Sequence, residues 1–270
     1  MIQKEQPIGV FDAGVGGFTV VKELQKQLPH EKLVYYADSK NMPYGNRDER
    51  QILYLTRQIL DFLQQQNVKA AVVACNTIST LINKYRDEYP FRVFSVVQAG
   101  SETAAAVDCK TVGMLGTVFT AQSGCYERLI HQMNPKMKVI ASGCPELGRL
   151  IDSGHISSED LHDELTATID KIMAQEKVGH LILGCTHYPI VKDEIKRLYP
   201  WLEFINPAYL AAVAVRKYLE QENAVKDEGD PRFIAYTTGD PELMRHMAGI
   251  VQINLPDEIH VVKAPALPAD

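Results

Sequence analysis

The chain has 270 residues, with 28 basic and 34 acidic side chains and a formal net charge of −6. Apolar residues make up 46% and charged residues 23% of it, close to globular averages, which excludes long disorder and a fibrous chain. The mild acidity, with a pI near 5.8, argues against a broad nucleic-acid-binding face, and the length admits one large or two medium domains.

Apolar runs of strand length alternate with amphipathic stretches from end to end, the pattern of an α/β chain with largely parallel sheets. It predicts strands over 8–11, 33–37, 70–74, 93–97, 111–115, 138–141, 180–183, 203–205 and 233–236. Between them the spacing predicts helices over 20–28, 49–65, 120–132, 158–175, 190–198 and 208–222. The polar stretch EQENAVKDEGDP, from Glu220 to Pro231, reads in its second half as an exposed connector. No apolar run approaches transmembrane length, and the short one in MIQKEQPIGVFDAG is too brief for a signal peptide or anchor, so no membrane partner is expected.

Two halves of the chain begin alike. IGVFDAGVGG from Ile8 and VGMLGTVFTAQSG from Val112 each read as strand, glycine-containing turn and helix start, and AAVVACNT and HLILGCTHYP each end a strand at a cysteine. The offsets are 104 residues from Gly9 to Gly113 and 110 from Cys75 to Cys185. This spacing suggests two similar α/β units, whose strand ends would bring both cysteine loops to one cleft.

Cysteines Cys75, Cys109, Cys125, Cys144 and Cys185 are odd in number and show no CxxC, which fits a reducing, cytoplasmic compartment. Cys75 and Cys185 share a context: each follows a strand-like run and precedes small polar residues, Asn76 and Thr77 or Thr186 and His187. A thiol at such a junction faces backbone N–H groups, which is expected to lower its pKa. Two facing thiols suit removal of a proton from one side of a carbon and return of one to the other, which inverts a stereocentre. Buried structural cysteines and a single-nucleophile enzyme using Cys185 and His187 remain open alternatives. Cys185 and His187, without a second ligand pair, make a poor zinc site, so no metal is expected.

Asp12 ends the first strand, where Gly14, Gly16 and Gly17 would let the backbone turn sharply toward a ligand. It could hold an ammonium group, orient a thiol or simply cap a turn. His187 could assist proton transfer or hold a carboxylate. MPYGNRDE, from Met42 to Glu49, is a loop between strand and helix with N–H groups usable by anions, and Thr77, Thr117, Thr120 and Thr186 could ring a carboxylate.

At these residues the chain resembles the glutamate racemase family of the aspartate/glutamate racemase group. The resemblance runs nearly end to end through IGVFDAGVGG, YYADSKNMPYG, VVACNT, GTVFTAQSGCY, LILGCTHYP and TTGD. It implies two similar three-layer α/β domains with mostly parallel sheets, related by pseudo-twofold symmetry, with the active site in the cleft between them. The first would span 1–98 and be completed by 208–270, the second 99–207. It further implies interconversion of L- and D-glutamate for peptidoglycan, without pyridoxal phosphate or metal. Cys75 and Cys185 would be the catalytic thiols, and Asp12 and His187 their helpers. Substrate contacts would fall on Ala13, Pro43, Tyr44, Gly45, Asn76, Thr77, Thr117, Thr120 and Thr186. The partner is a small amino acid, and a homodimer is expected because family members are often dimers.

Four positions depart from the family pattern: Ala13 where a serine is common, Asp152 in place of glutamate, Asn206 in place of the aspartate of an IDP motif, and VVQAG without its usual proline. None is expected to touch the thiols. A related racemase with another amino-acid substrate, or a non-catalytic amino-acid-binding relative, would fit the same motifs.

Overall fold

The computed structural model describes residues 2–267. Ten strands run β1 Ile8–Asp12, β2 Leu33–Ala37, β3 Ala70–Val73, β4 Arg92–Ser95, β5 Thr111–Gly116, β6 Lys138–Gly143, β7 His180–Gly184, β8 Glu203–Ile205, β9 Phe233–Thr237 and β10 Glu258–Val261. The helices are α1 Phe18–Gln27, α2 Glu49–Gln65, α3 Asn76–Ser79, α4 Val96–Ala106, α5 Val118–Ser123 and α6 Cys125–Met133, followed by α7 Leu147–Asp152, α8 Glu159–Met173, α9 Lys192–Leu198, α10 Pro207–Gln221 and α11 Pro241–Val251.

Two sheets form, one in the order β10-β9-β2-β1-β3-β4 and the other β6-β5-β7-β8. Every strand pair is parallel. The second sheet repeats the order of the first four strands, β2-β1-β3-β4, while β9 and β10 extend the first sheet beyond β2. The repeated turn motifs thus correspond to a repeated topology. β1, β2, β3 and β5 are buried along their whole length, as parallel strands covered on both faces must be.

Each sheet is the middle of three layers. On one face of the first, Ile8, Val10, Tyr35 and Val72 pack with Phe18, Leu24, Val215 and Met247 from α1, α10 and α11. On the other, Phe11, Val34 and Val73 meet Ile52, Leu55 and Ile59 of α2. The second sheet is covered by α8 through Leu161, Leu165 and Ile169, and by α4 and α6 through Ala104, Tyr126 and Ile130. Among the described residues no helix is long and apolar enough to cross a membrane.

Several local expectations are corrected. Val96 and Val97 begin α4 rather than end a strand, because the Ser95 side chain accepts from the Gln98 N–H and starts the helix there. The helix expected over 120–132 is two, α5 and α6, parted by Gly124 at φ 61°, a conformation that glycine adopts without steric cost. Asn206 caps α10 by accepting from the Ala208 N–H at 3.1 Å, with Pro207 at the first helical position. The departure at this position therefore exchanges one capping side chain for another.

One buried ion pair ties the base of the first sheet together. Lys69 Nζ lies 2.6 Å from Glu31 Oε2, and both side chains are fully buried. Lys69 also donates to the carbonyls of Lys4 and Ala224, each at 2.9 Å, while Glu31 accepts from the Lys226 N–H. The polar connector after α10 is thereby fastened at Ala224 and Lys226, and its far half, from Asp227, lies exposed. Burial pushes the Glu31 carboxyl pKa up and the Lys69 pKa down, and the contacts between them oppose both shifts. Removing one partner leaves an uncompensated buried charge. Lys69→Met is expected to cost about 3–5 kcal/mol, and adding Glu31→Leu should recover part of that loss, as measured by urea unfolding.

Candidate active site

In an open α/β sheet the carboxyl ends of the strands on either side of a reversal in strand order form a crevice for ligands. Here β1 lies between β2 and β3, and β5 between β6 and β7, so each sheet has such a point. Asp12 ends β1, Cys75 follows β3, Thr117 follows β5 and Cys185 follows β7. The four meet in a cleft of about 530 Å³. A larger cavity, about 720 Å³, lies between β4, α4 and α10 and touches none of the predicted site residues. The chemically equipped space is therefore the smaller one.

All the predicted site residues line the cleft except Asn76 and Thr120. The Asn76 amide oxygen accepts from the Tyr126 hydroxyl at 2.7 Å, so this side chain is anchored behind the cleft wall. Thr120 is fully buried and takes the Thr117 hydroxyl hydrogen at 2.9 Å. Thr117 lies 3.3 Å from Thr77 across the cleft. The Tyr44 hydroxyl donates to Asp38 Oδ2 at 2.7 Å, away from any ligand, so its loop offers backbone and ring.

Asp38 is the hub of that loop and was not among the expected site residues. Its fully buried carboxylate accepts from Asn41, Tyr44 and Thr238. The last of these comes from the TTGD motif after β9, so the returning C-terminal strands brace the Pro43–Tyr44–Gly45 wall. Asp38 follows β2 directly, just as Asp12 ends the adjacent β1, and that parallel placement is the signal in the sequence that would have found it.

Each thiol has a polar neighbour. Cys75 shares the cleft wall with Asp12, and Asp12 accepts from the Ala13 N–H at 2.7 Å and the Thr186 hydroxyl at 3.0 Å. Burial pushes the Asp12 carboxyl pKa up, against His187 and these donors. The Cys75 thiol is likewise pushed well up, by burial and then by the Asp12 charge, although the N–H groups of Ile78 and Ala13 point at it. The expected lowering is thus corrected: α3 is one short turn, and its dipole cannot outweigh desolvation.

Cys185 Sγ stands 3.6 Å from His187 Nδ1, and His187 Nε2 stands 2.9 Å from Asp152 Oδ1. Burial alone would lower the imidazole pKa, but the Asp152 carboxylate and the Cys185 sulfur outweigh it and hold His187 well above its ordinary value. A third thiol, Cys144, lines the cleft but is pushed up to about 12 by burial, which keeps it a neutral wall group. All five cysteines are free.

The glycines of the first loop serve close approach rather than a sharp turn, since Gly14, Gly16 and Gly17 are not among the positive-φ glycines. A Cβ on Gly16 would stand 2.5 Å from His187 Cε1 and 2.6 Å from Thr186 Oγ1. The bare backbone lets the β7 loop of one sheet settle onto the β1 loop of the other.

Residues 18–215 match the family model described as Asp/Glu/Hydantoin racemase. The chain belongs to that family. This racemase is 39% identical over 226 residues to a protein named glutamate racemase 3 from Caldanaerobacter subterraneus subsp. tengcongensis, covering 83% of this chain and 82% of the other. Among solved structures it superposes on a glutamate racemase isoform from Bacillus anthracis with a TM-score of 0.91 at 30% identity, over 97% of this chain and 99% of that one. A glutamate racemase from Francisella tularensis, solved in complex with D-glutamate, gives 0.90 at 30% identity, over 97% and 98%. The racemase is accordingly an isomerase of the amino-acid racemase class.

Two outcomes follow for the racemase. Gly16→Ala, which forces the Thr186–His187 loop outward, should lower turnover on the order of a hundredfold while melting stays near wild type, as checked by parallel kinetics and calorimetry. Asp12→Asn keeps both hydrogen bonds if the Thr186 hydroxyl accepts from the new amide. A raised folded pKa means that the Asp12 contribution to stability is intact below the ordinary carboxyl pKa and lost as pH rises through the folded one. The melting temperature of Asp12→Asn relative to wild type should therefore climb with pH above about 4, and a flat difference would contradict the buried, raised carboxyl.

Proposed function

We propose that the protein interconverts L- and D-glutamate by two-thiol proton transfer at the α-carbon. The observation that carries this is the pairing of Cys75 after β3 with Cys185 after β7, equivalent strands of two repeated sheets, at one cleft. In one direction a thiolate takes the α-proton: the C–H bond breaks, its electron pair stays on carbon, and an S–H bond forms. The opposite thiol then gives its hydrogen to the other face of the carbon and is left as thiolate. The two sulfurs have exchanged protonation states, and the reverse reaction or exchange with solvent resets them.

The helpers make both states accessible. Asp12 takes or returns the hydrogen of Cys75, which burial otherwise keeps as thiol. His187, held cationic by Asp152, stabilises a negative sulfur at Cys185. The α-proton is weakly acidic, so the developing charge on the substrate carboxylate has to meet preorganised donors. Thr77 and Thr117, with the N–H groups of the cleft loops, are the groups placed for that. No step is assigned to a metal or a cofactor. Two working thiols require a reducing compartment, so the enzyme belongs in the cytoplasm, supplying D-glutamate for peptidoglycan.

Incubation with each glutamate enantiomer in deuterium oxide should give α-proton exchange together with inversion. Cys75→Ala and Cys185→Ala should each lower racemisation by more than about a thousandfold, with each variant retaining exchange of at most one enantiomer. Survival of full turnover in Cys75→Ala would point to a single-nucleophile enzyme. Faster inversion of another amino acid in the same panel would reassign the substrate.

A further inference from the structure

Cys75 is followed at once by α3, a single turn of four residues. A turn that short has little stability of its own and stands only where tertiary contacts hold it. Its place matters to the thiol, because the Ile78 N–H of α3 points at the Cys75 sulfur. On the side of the first sheet, the Ser79 hydroxyl donates to the Val73 carbonyl at 3.3 Å and the Tyr85 hydroxyl to the Ile78 carbonyl at 3.2 Å. From the side of the second sheet comes Tyr126 of α6, whose hydroxyl donates to the Asn76 amide oxygen at 2.7 Å. That is a closer tie than the 3.3 Å between Thr77 and Thr117.

Tyr126 is itself firmly seated. Its ring is buried and lies against α4 where Gly100 leaves room: a Cβ there would stand 3.3 Å from Tyr126 Cε1 and 3.0 Å from Pro207 Cγ, at the start of α10. Burial pushes the phenol pKa well up, and the charges of Cys125 and Cys185 add to this, so the hydroxyl remains a hydrogen donor. Asn76 is buried as well. Turning its amide over would set the N–H2 group against the phenol hydrogen, and losing the phenol would leave a buried acceptor unpaired.

We propose that Tyr126 is a positioning residue that works through Asn76: from the second sheet it holds the turn that follows Cys75, and so sets where that thiol stands against the substrate carbon. Tyr126 does not line the cleft, so it acts at one remove. Proton transfer demands a close approach of sulfur to the α-carbon, and a small shift of α3 is enough to spoil it. The inference rests on the two-thiol reaction proposed above and adds the group that keeps one thiol in register with the other across the two sheets.

The test compares wild type, Tyr126→Phe, Asn76→Ala and the double variant, by racemisation kinetics and by loss of α-deuterium from each deuterated glutamate enantiomer in ordinary water. The enantiomers have equal energy, so kcat/KM for racemisation must fall together in both directions, and exchange is what separates the thiols. Cys75→Ala identifies the enantiomer that Cys75 deprotonates. Tyr126→Phe should slow exchange of that enantiomer about tenfold and leave the other nearly unchanged. The double variant leaves no buried acceptor unpaired, so it folds where Tyr126→Phe alone is destabilised, and it should match Asn76→Ala in both readouts. Equal slowing of both enantiomers, no slowing, or a further loss in the double variant would overturn the role of Tyr126 while leaving racemisation standing. A wild type without α-hydrogen exchange, or full turnover in Cys75→Ala, would overturn the two-thiol reaction and this inference with it.

Discussion

The cleft depends on how closely the β1 loop and the β7 loop meet. The Thr186 hydroxyl donates to Asp12, the Thr186 carbonyl accepts from Thr19 at 2.8 Å, and the His187 ring occupies space that a side chain on Gly16 would fill. These contacts join the two sheets at the carboxyl ends of β1 and β7, so the carboxylate beside one thiol also positions the loop that carries the other. Distortion of either loop is transmitted to both sulfurs.

Burial sets the proton chemistry and neighbouring charge refines it. Cys75 and Asp12, almost without solvent, each resist ionisation, so a negative charge placed on either is costly. Cys185 instead faces an imidazole that Asp152 keeps cationic. Two sulfurs after equivalent strands thus occupy unlike electrostatic surroundings, a carboxylate beside one and a cation beside the other. A pair that alternates as acid and base can use this asymmetry, provided the substrate supplies the balancing charge.

Much of the site was legible along the chain because its residues follow strands. In a parallel sheet the residue after a strand lies at the carboxyl edge whatever the helices do, so Asp12, Cys75, Thr117 and Cys185 could be placed together from their motifs. Asn76 and Thr120 were legible only as neighbours of such residues. Which way a side chain turns on a short helix depends on its partner, here Tyr126 for Asn76 and Thr117 for Thr120. Asp152 lies on α7, a helix that the alternation of apolar runs did not reveal because it is only six residues long.

By itself the sequence determined the parallel α/β character, the doubled strand-turn pattern and the matched thiols, because each is written in local order: apolar period, glycine position and the residue that follows a strand. Only the tertiary structure decided that Asp38 braces the cleft loop through Thr238 and that burial raises the Cys75 pKa where a helix start alone would lower it. These outcomes depend on groups far apart along the chain. Desolvation in particular has no local signature, since it is set by everything that packs around a side chain once the sheets have met.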